Sequence, residues 1–108
     1  MNNVDLKRSA QARLLDGATF CDVDVQPGDV ALFERGDGIV EDVAIACPGC
    51  GRRSSLPLVP GYHSRWTVTA GDVRDPSSLT LSPSIFHRTE DGGCGWHGHL
   101  TNGVFEPC

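Results

Sequence analysis

Four residues in two short stretches have the type and spacing to hold a metal ion. They are Cys47 and Cys50 in Cys47-Pro48-Gly49-Cys50-Gly51, and Cys94 and His97 in Cys94-Gly95-Trp96-His97-Gly98. Each stretch separates two soft donors by two small or turn-forming residues, the spacing at which one backbone knuckle aims both side chains at a single ion. Glycines supply the positive φ angles and close approach that a knuckle needs. Two such knuckles far apart in the chain complete four-coordination, so the set predicts a tetrahedral site of three thiolates and one imidazole. Zinc is the expected ion, with iron or an iron–sulfur cluster at the same ligands as the alternative. Two other donors compete for the fourth place: His99, which a strand would send to the same face as His97, and the terminal Cys108. Four protein ligands leave no coordination position for water, so the expected metal is structural and no catalytic residue is assigned.

Other chemistries fit less well. A redox dithiol at Cys47 and Cys50 needs a following helix to lower the thiol pKa, and Gly51 with the segment 52–60 argues against one. A Rieske centre needs histidine where residue 50 is cysteine. The zinc deaminases place a His-x-Glu pair upstream of their cysteines, and this chain has no histidine before Cys47. No Gly-x-Ser-x-Gly, P-loop or dinucleotide fingerprint occurs. His63 and His87 read as ordinary exposed histidines in turns, and Cys21 as a small core residue.

The elements that must position the four ligands are mostly strands. With 39% hydrophobic residues, 6% aromatic residues and 13 glycines in 108 positions, the composition suits one small β-rich domain. Residues 5–16 predict a short helix from Asp5 to Gly17, so residues 1–18 form a helical arm and residues 19–108 a β-rich metal-binding domain. Alternation predicts strands over 19–25, 30–33, 39–46, 65–70 and 79–85, the last bent at Pro83. Residues 52–59 are strand-like but broken by Pro57, and Trp66 is the expected core anchor. Arg35-Gly36-Asp37-Gly38 and Pro60-Gly61-Tyr62-His63 predict turns, residues 71–78 a loop, and Asn102-Gly103 a two-residue hairpin.

A formal net charge of -5 without a basic tract gives little support to nucleic-acid binding. No apolar run approaches membrane-spanning length, and residues 1–5 lack the features of a signal peptide, so a cytoplasmic protein without membrane contact is expected. Five cysteines in a reducing compartment favour metal ligation over a disulfide framework.

The two knuckle stretches, Leu56-Pro57-Leu58, Trp66, Leu79-Thr80-Leu81-Ser82-Pro83-Ser84-Ile85, Leu100, Asn102-Gly103 and Val104-Phe105 follow one another in an order that resembles a known family. Its members are small uncharacterised proteins of phage and bacterial genomes, many carrying an "ammonia monooxygenase" label. The resemblance runs from about Gln26 to the end. It implies a compact zinc-ribbon or Rieske-like β scaffold with Cys47, Cys50, Cys94 and His97 at the presumed ligand positions, and an aromatic residue more often where His99 stands. It implies no established activity, and the two histidines and carboxylate of an oxygen-activating iron site cannot be assembled here. The expected function is therefore a non-enzymatic zinc-binding module of phage origin that binds another protein, a host factor or an assembly component. A Rieske-like or rubredoxin-like electron carrier is the alternative.

Overall fold

Short apolar runs ended by glycine, proline and Asx turns give strands too short to bury a face alone. In a computed structural model, which describes residues 4–22, 24–58 and 65–108, such strands join into three sheets. In chain order the elements are β1 (Ala10–Gln11), β2 (Arg13–Leu14), α1 (Gly17–Asp22), β3 (Asp29–Glu34), β4 (Val40–Ala46), β5 (Arg53–Pro57), β6 (Thr67–Asp72), β7 (Asp75–Ser82), β8 (Ile85–Phe86), β9 (His97–Thr101) and β10 (Val104–Pro107). One sheet has the order β1-β10-β9-β8, a second β2-β3-β4-β5, and β6 and β7 form a hairpin. Pairing between these strands is antiparallel except between β2 and β3, and an isolated parallel bridge joins Leu58 to Trp66.

The expected mainly β single domain with one short helix is what forms, but the helix lies elsewhere. Residues 5–16 are not helical, because sheet partners claim their backbone. Ala10 and Gln11 pair with Phe105 and Val104, and Arg13 and Leu14 pair with Asp29 and Val30. Between them the Ala12 N–H donates to the Gly103 carbonyl at 2.8 Å. An isolated helix of that length is marginal, whereas two waiting strand edges satisfy the same groups and bury Ala12. The stretch from Ala10 to Leu14 thus stitches two sheets together.

The helix occupies part of the expected 19–25 strand. Asp16 caps it, accepting from the Thr19 N–H at 2.8 Å and the Thr19 hydroxyl at 2.7 Å. Phe20 then packs on Ala31 and Ala44, and Cys21 is exposed rather than buried. The expected 71–78 loop is instead the heart of the β6–β7 hairpin, whose tip docks through Arg74 on Glu34 and on the Gly38 carbonyl. The turns at 35–38 and 102–103 form as the sequence predicts. The turn at 60–63, with His63, lies outside the described residues.

The main core joins Val30, Val43, Ile45 and Leu56 of one sheet to Ile85, Leu100 and Phe105 of the other, with Leu79 and Leu81 from the hairpin. Its anchor is Trp96, which has no exposed surface, meets Phe105 edge-on at 6.5 Å and donates its indole N–H to the Arg8 carbonyl. Trp66 packs only partly buried against this core. Among the described residues no helix is long and apolar enough to cross a membrane.

Candidate functional site

The first knuckle follows β4, where the strand runs out at Ala46 and the chain tightens. The Cys47 N–H donates to the Arg52 carbonyl at 2.8 Å and the Gly51 N–H to the Cys47 carbonyl at 2.7 Å, with Gly51 at φ 81°. This ring points the Cys47 and Cys50 side chains toward Cys94. The three sulfurs lie within 4.8 Å of one another, and Cys47 Sγ is 3.6 Å from Cys94 Sγ. A Cβ at residue 49 would stand 2.8 Å from Cys94 Sγ and 2.9 Å from Trp96 Cβ, so only glycine lets the knuckle close on its partner. Burial, with Cys94 adding to it, pushes the Cys47 thiol up to about 12 against the pull of the Gly49 and Cys50 N–H groups. Three such sulfurs can hold a metal ion, whose charge would favour the thiolates that burial opposes.

His97 is not a member of this group. The chain is extended from Trp96 onward, and strand alternation sends Trp96 into the core and His97 to solvent. A ligand three residues after Cys94 needs a turn that the second stretch does not make. His99 shares the exposed face of β9, and its Nδ1 lies 3.7 Å from the Cys108 sulfur, so neither alternative donor joins the cysteine group.

What His97 does meet is a serine. After β7 the chain turns at Ser82-Pro83, whose peptide bond is cis, and enters β8 as the end strand beside β9. Phe86 pairs with His97 in register and the two rings stack at 4.7 Å, which holds the imidazole over the sheet. Ser84 lies two residues before Phe86 on the same face, and its Oγ is 3.0 Å from Nε2 of His97. Among the described residues no carboxylate hydrogen-bonds this histidine, so the pair is a hydroxyl–imidazole dyad on an open surface.

A second hydroxyl–imidazole pair is half-buried. Ser54 Oγ of β5 and Nε2 of His87 are 3.2 Å apart in a cavity of about 410 Å³ that Cys47, Cys50 and Cys94 also line. Burial, together with the Arg52 charge, lowers the His87 pKa, and its Nδ1 is buried with no hydrogen-bond partner. His87 is therefore not the exposed turn residue that its sequence context suggests. A larger polar groove of about 810 Å³ that includes Arg8, Gln26 and Arg53 contains no histidine.

A family model described as "bacterial ubiquitination-like system serine protease (BubE)" matches residues 19–108. No curated protein and no solved structure matches the chain. The family description overturns two expectations, that the chain is a non-enzymatic binding module or electron carrier and that it is not an enzyme. Both rested on finding no catalytic constellation in the sequence. Ser84 sits 13 residues before His97 without a nucleophile motif around it, so spacing alone does not pair the two.

Proposed function

The chain belongs to the bacterial ubiquitination-like system serine protease (BubE) family, and from that premise we propose that it is a serine peptidase with Ser84 as nucleophile and His97 as general base. The observation that carries this reading is the 3.0 Å contact between Ser84 Oγ and His97 Nε2 on a solvent-facing sheet surface. Nucleophile and base at hydrogen-bond distance are the minimum machinery of acyl transfer. With Nε2 accepting from the hydroxyl, the imidazole carries its proton on Nδ1.

Ser84 Oγ attacks the scissile carbonyl carbon as its proton passes to Nε2. The imidazolium then protonates the leaving amine as the C–N bond breaks, which leaves an acyl ester on Ser84. Water, deprotonated by the same Nε2, cleaves the ester, releases the carboxylate and restores the hydroxyl. The stack on Phe86 limits rotation of the ring through this cycle. An open dyad suits a polypeptide rather than a small molecule, and β8, an end strand, offers an edge along which an extended peptide can lie. The substrate class this supports is the C-terminal tail of a ubiquitin-like protein joined to a target.

The Ser54–His87 pair is the competing assignment. It is disfavoured because its imidazole is half-buried beside three cysteines that can hold a metal ion, whereas His97 lies on an exposed sheet face. We assign zinc to those cysteines, since a thiolate-rich site suits it, with the role of holding the 94–97 segment in place. It supplies no step of the cleavage.

The test is cleavage of a ubiquitin-like protein fused to a reporter, with fluorophosphonate labelling of the same preparations. Ser84→Ala and His97→Ala should each lower kcat/KM by about a thousandfold or more, and Ser84→Ala should abolish labelling. Ser54→Ala should keep both. Label retained in Ser84→Ala and lost in Ser54→Ala would transfer the nucleophile to the Ser54–His87 pair.

A further inference from the structure

The backbone around Cys94 repeats the knuckle around Cys50, and the repeat identifies a residue that spacing conceals. In the first knuckle, residue 47 donates its N–H to the carbonyl of the residue after Gly51 and accepts from the Gly51 N–H. In the second, the His87 N–H donates to the carbonyl of Trp96, the residue after Gly95, at 2.9 Å, and the Gly95 N–H donates to the His87 carbonyl at 2.7 Å. Gly51 and Gly95 share positive φ angles, 81° and 97°. Cys50 precedes the one glycine and Cys94 the other. His87 therefore stands to Cys94 as Cys47 stands to Cys50.

Two residues separate the first pair and residues 88–93 separate the second. The extra chain folds on itself as a 3-10 turn over Thr89–Asp91, closed by the Gly93 N–H on the Arg88 carbonyl at 2.9 Å. Gly93 then lies against His87, where a Cβ would meet the His87 carbonyl oxygen at 2.5 Å. The insertion bulges outward while both ends of the knuckle stay in register.

The side chain agrees with the backbone. Nε2 of His87 is engaged by Ser54, whereas Nδ1 is buried and without a partner in the cavity that the three cysteines line. A neutral imidazole that donates Nε2–H to Ser54 presents the Nδ1 lone pair, the tautomer a metal needs, and Ser54 fixes the ring as second-layer partners of ligating histidines do. Nδ1 is not within the 4.8 Å mutual spacing of the sulfurs, so loading must draw the ring toward them.

We infer that His87 is the fourth ligand, through Nδ1, of a closed Cys47–Cys50–Cys94–His87 site for zinc or a similar thiophilic divalent cation, with Ser54 as its positioning residue. This rests on the zinc reading of the three cysteines given above. It frees His97 for the dyad and explains why a second hydroxyl–imidazole contact stands beside the cysteines.

The experiment measures zinc per chain, chelator competition and the Co²⁺ spectrum of the full chain and its variants. The unsubstituted protein should hold one zinc. His87→Ala should weaken binding by about a hundredfold or more, Ser54→Ala by about tenfold, and His97→Ala should leave content and spectrum unchanged. His87→Cys should keep the metal and intensify the sulfur-to-cobalt charge-transfer band as a fourth thiolate joins. If His87→Ala does not fold, His87→Cys decides: a Co²⁺ spectrum identical to the parent's would overturn His87 as ligand. Loss of metal in His97→Ala with retention in His87→Ala would do the same. A parent protein without bound metal would instead defeat the zinc reading itself.

Discussion

Asp29 shows at the residue scale how a polar group earns a place among strands. Its side chain is 3% exposed, yet its oxygens accept from Arg13 Nε at 2.8 Å, from the second Arg13 nitrogen at 2.9 Å and from the Gln26 N–H at 2.8 Å. Burial raises its pKa, but the Arg13 and Gln26 hydrogen bonds and the Arg13 charge outweigh it, and the net shift is downward. A carboxylate whose folded pKa lies below its unfolded value stabilises the fold above the unfolded pKa and loses that contribution as pH falls through the folded one. Asp29→Asn should therefore cost about 1–3 kcal/mol at pH 7, trimmed by the solvent around Arg13. The Tm gap between parent and variant should narrow as pH drops below about 4. A gap constant from pH 7 to pH 3 would show that the charge is not what stabilises.

At the element scale, the β9–β10 hairpin is the joint on which the sheets meet. Asn102 and Gly103 form its turn with φ 49° and 80°. The Gly103 N–H donates to Leu79 of β7, its carbonyl accepts from Ala12 between β1 and β2, and a Cβ there would stand 2.2 Å from the Ser77 carbonyl oxygen. Gly103→Ala combines a disfavoured φ with a backbone clash and should destabilise by about 2 kcal/mol or more, measured by urea denaturation. Asn102→Gly, which keeps the conformation, should change stability by less than about 1 kcal/mol. The hairpin was legible because Asn-Gly names its turn. The helix at Gly17–Asp22 was less so, because residues 19–25 also alternate in polarity and only the Asp16 cap tips the balance.

At the scale of the whole molecule, residues 94–97 join the proposed metal site, the core and the proposed dyad within four positions. Cys94 faces the sulfurs, Trp96 fills the core and His97 meets Ser84. Metal removal should therefore act on folding and on cleavage together. Chelation should lower Tm by about 10 °C or more, since metal binding contributes folding free energy, and peptidase activity should fall with it. Zinc should restore both. An unchanged Tm after complete stripping would uncouple the cysteine cluster from the fold.

The amino-acid sequence by itself determined the β-rich class, the turns at 35–38 and 102–103, and the gathering of Cys47, Cys50 and Cys94, because period-two alternation, turn chemistry and soft-donor spacing are local properties of the chain. Only the tertiary structure decided the partners of the histidines. His97 follows Cys94 at ligand spacing, but the strand pleat beginning at Trp96 turns it outward to Ser84. His87 lies seven positions before Cys94, and only the hydrogen-bonded ring that excludes residues 88–93 returns it to the cysteines. Such pairings depend on which way a strand faces and how much chain a loop bulges out, and both are set by burial of Trp96 and by contacts between sheets rather than by spacing.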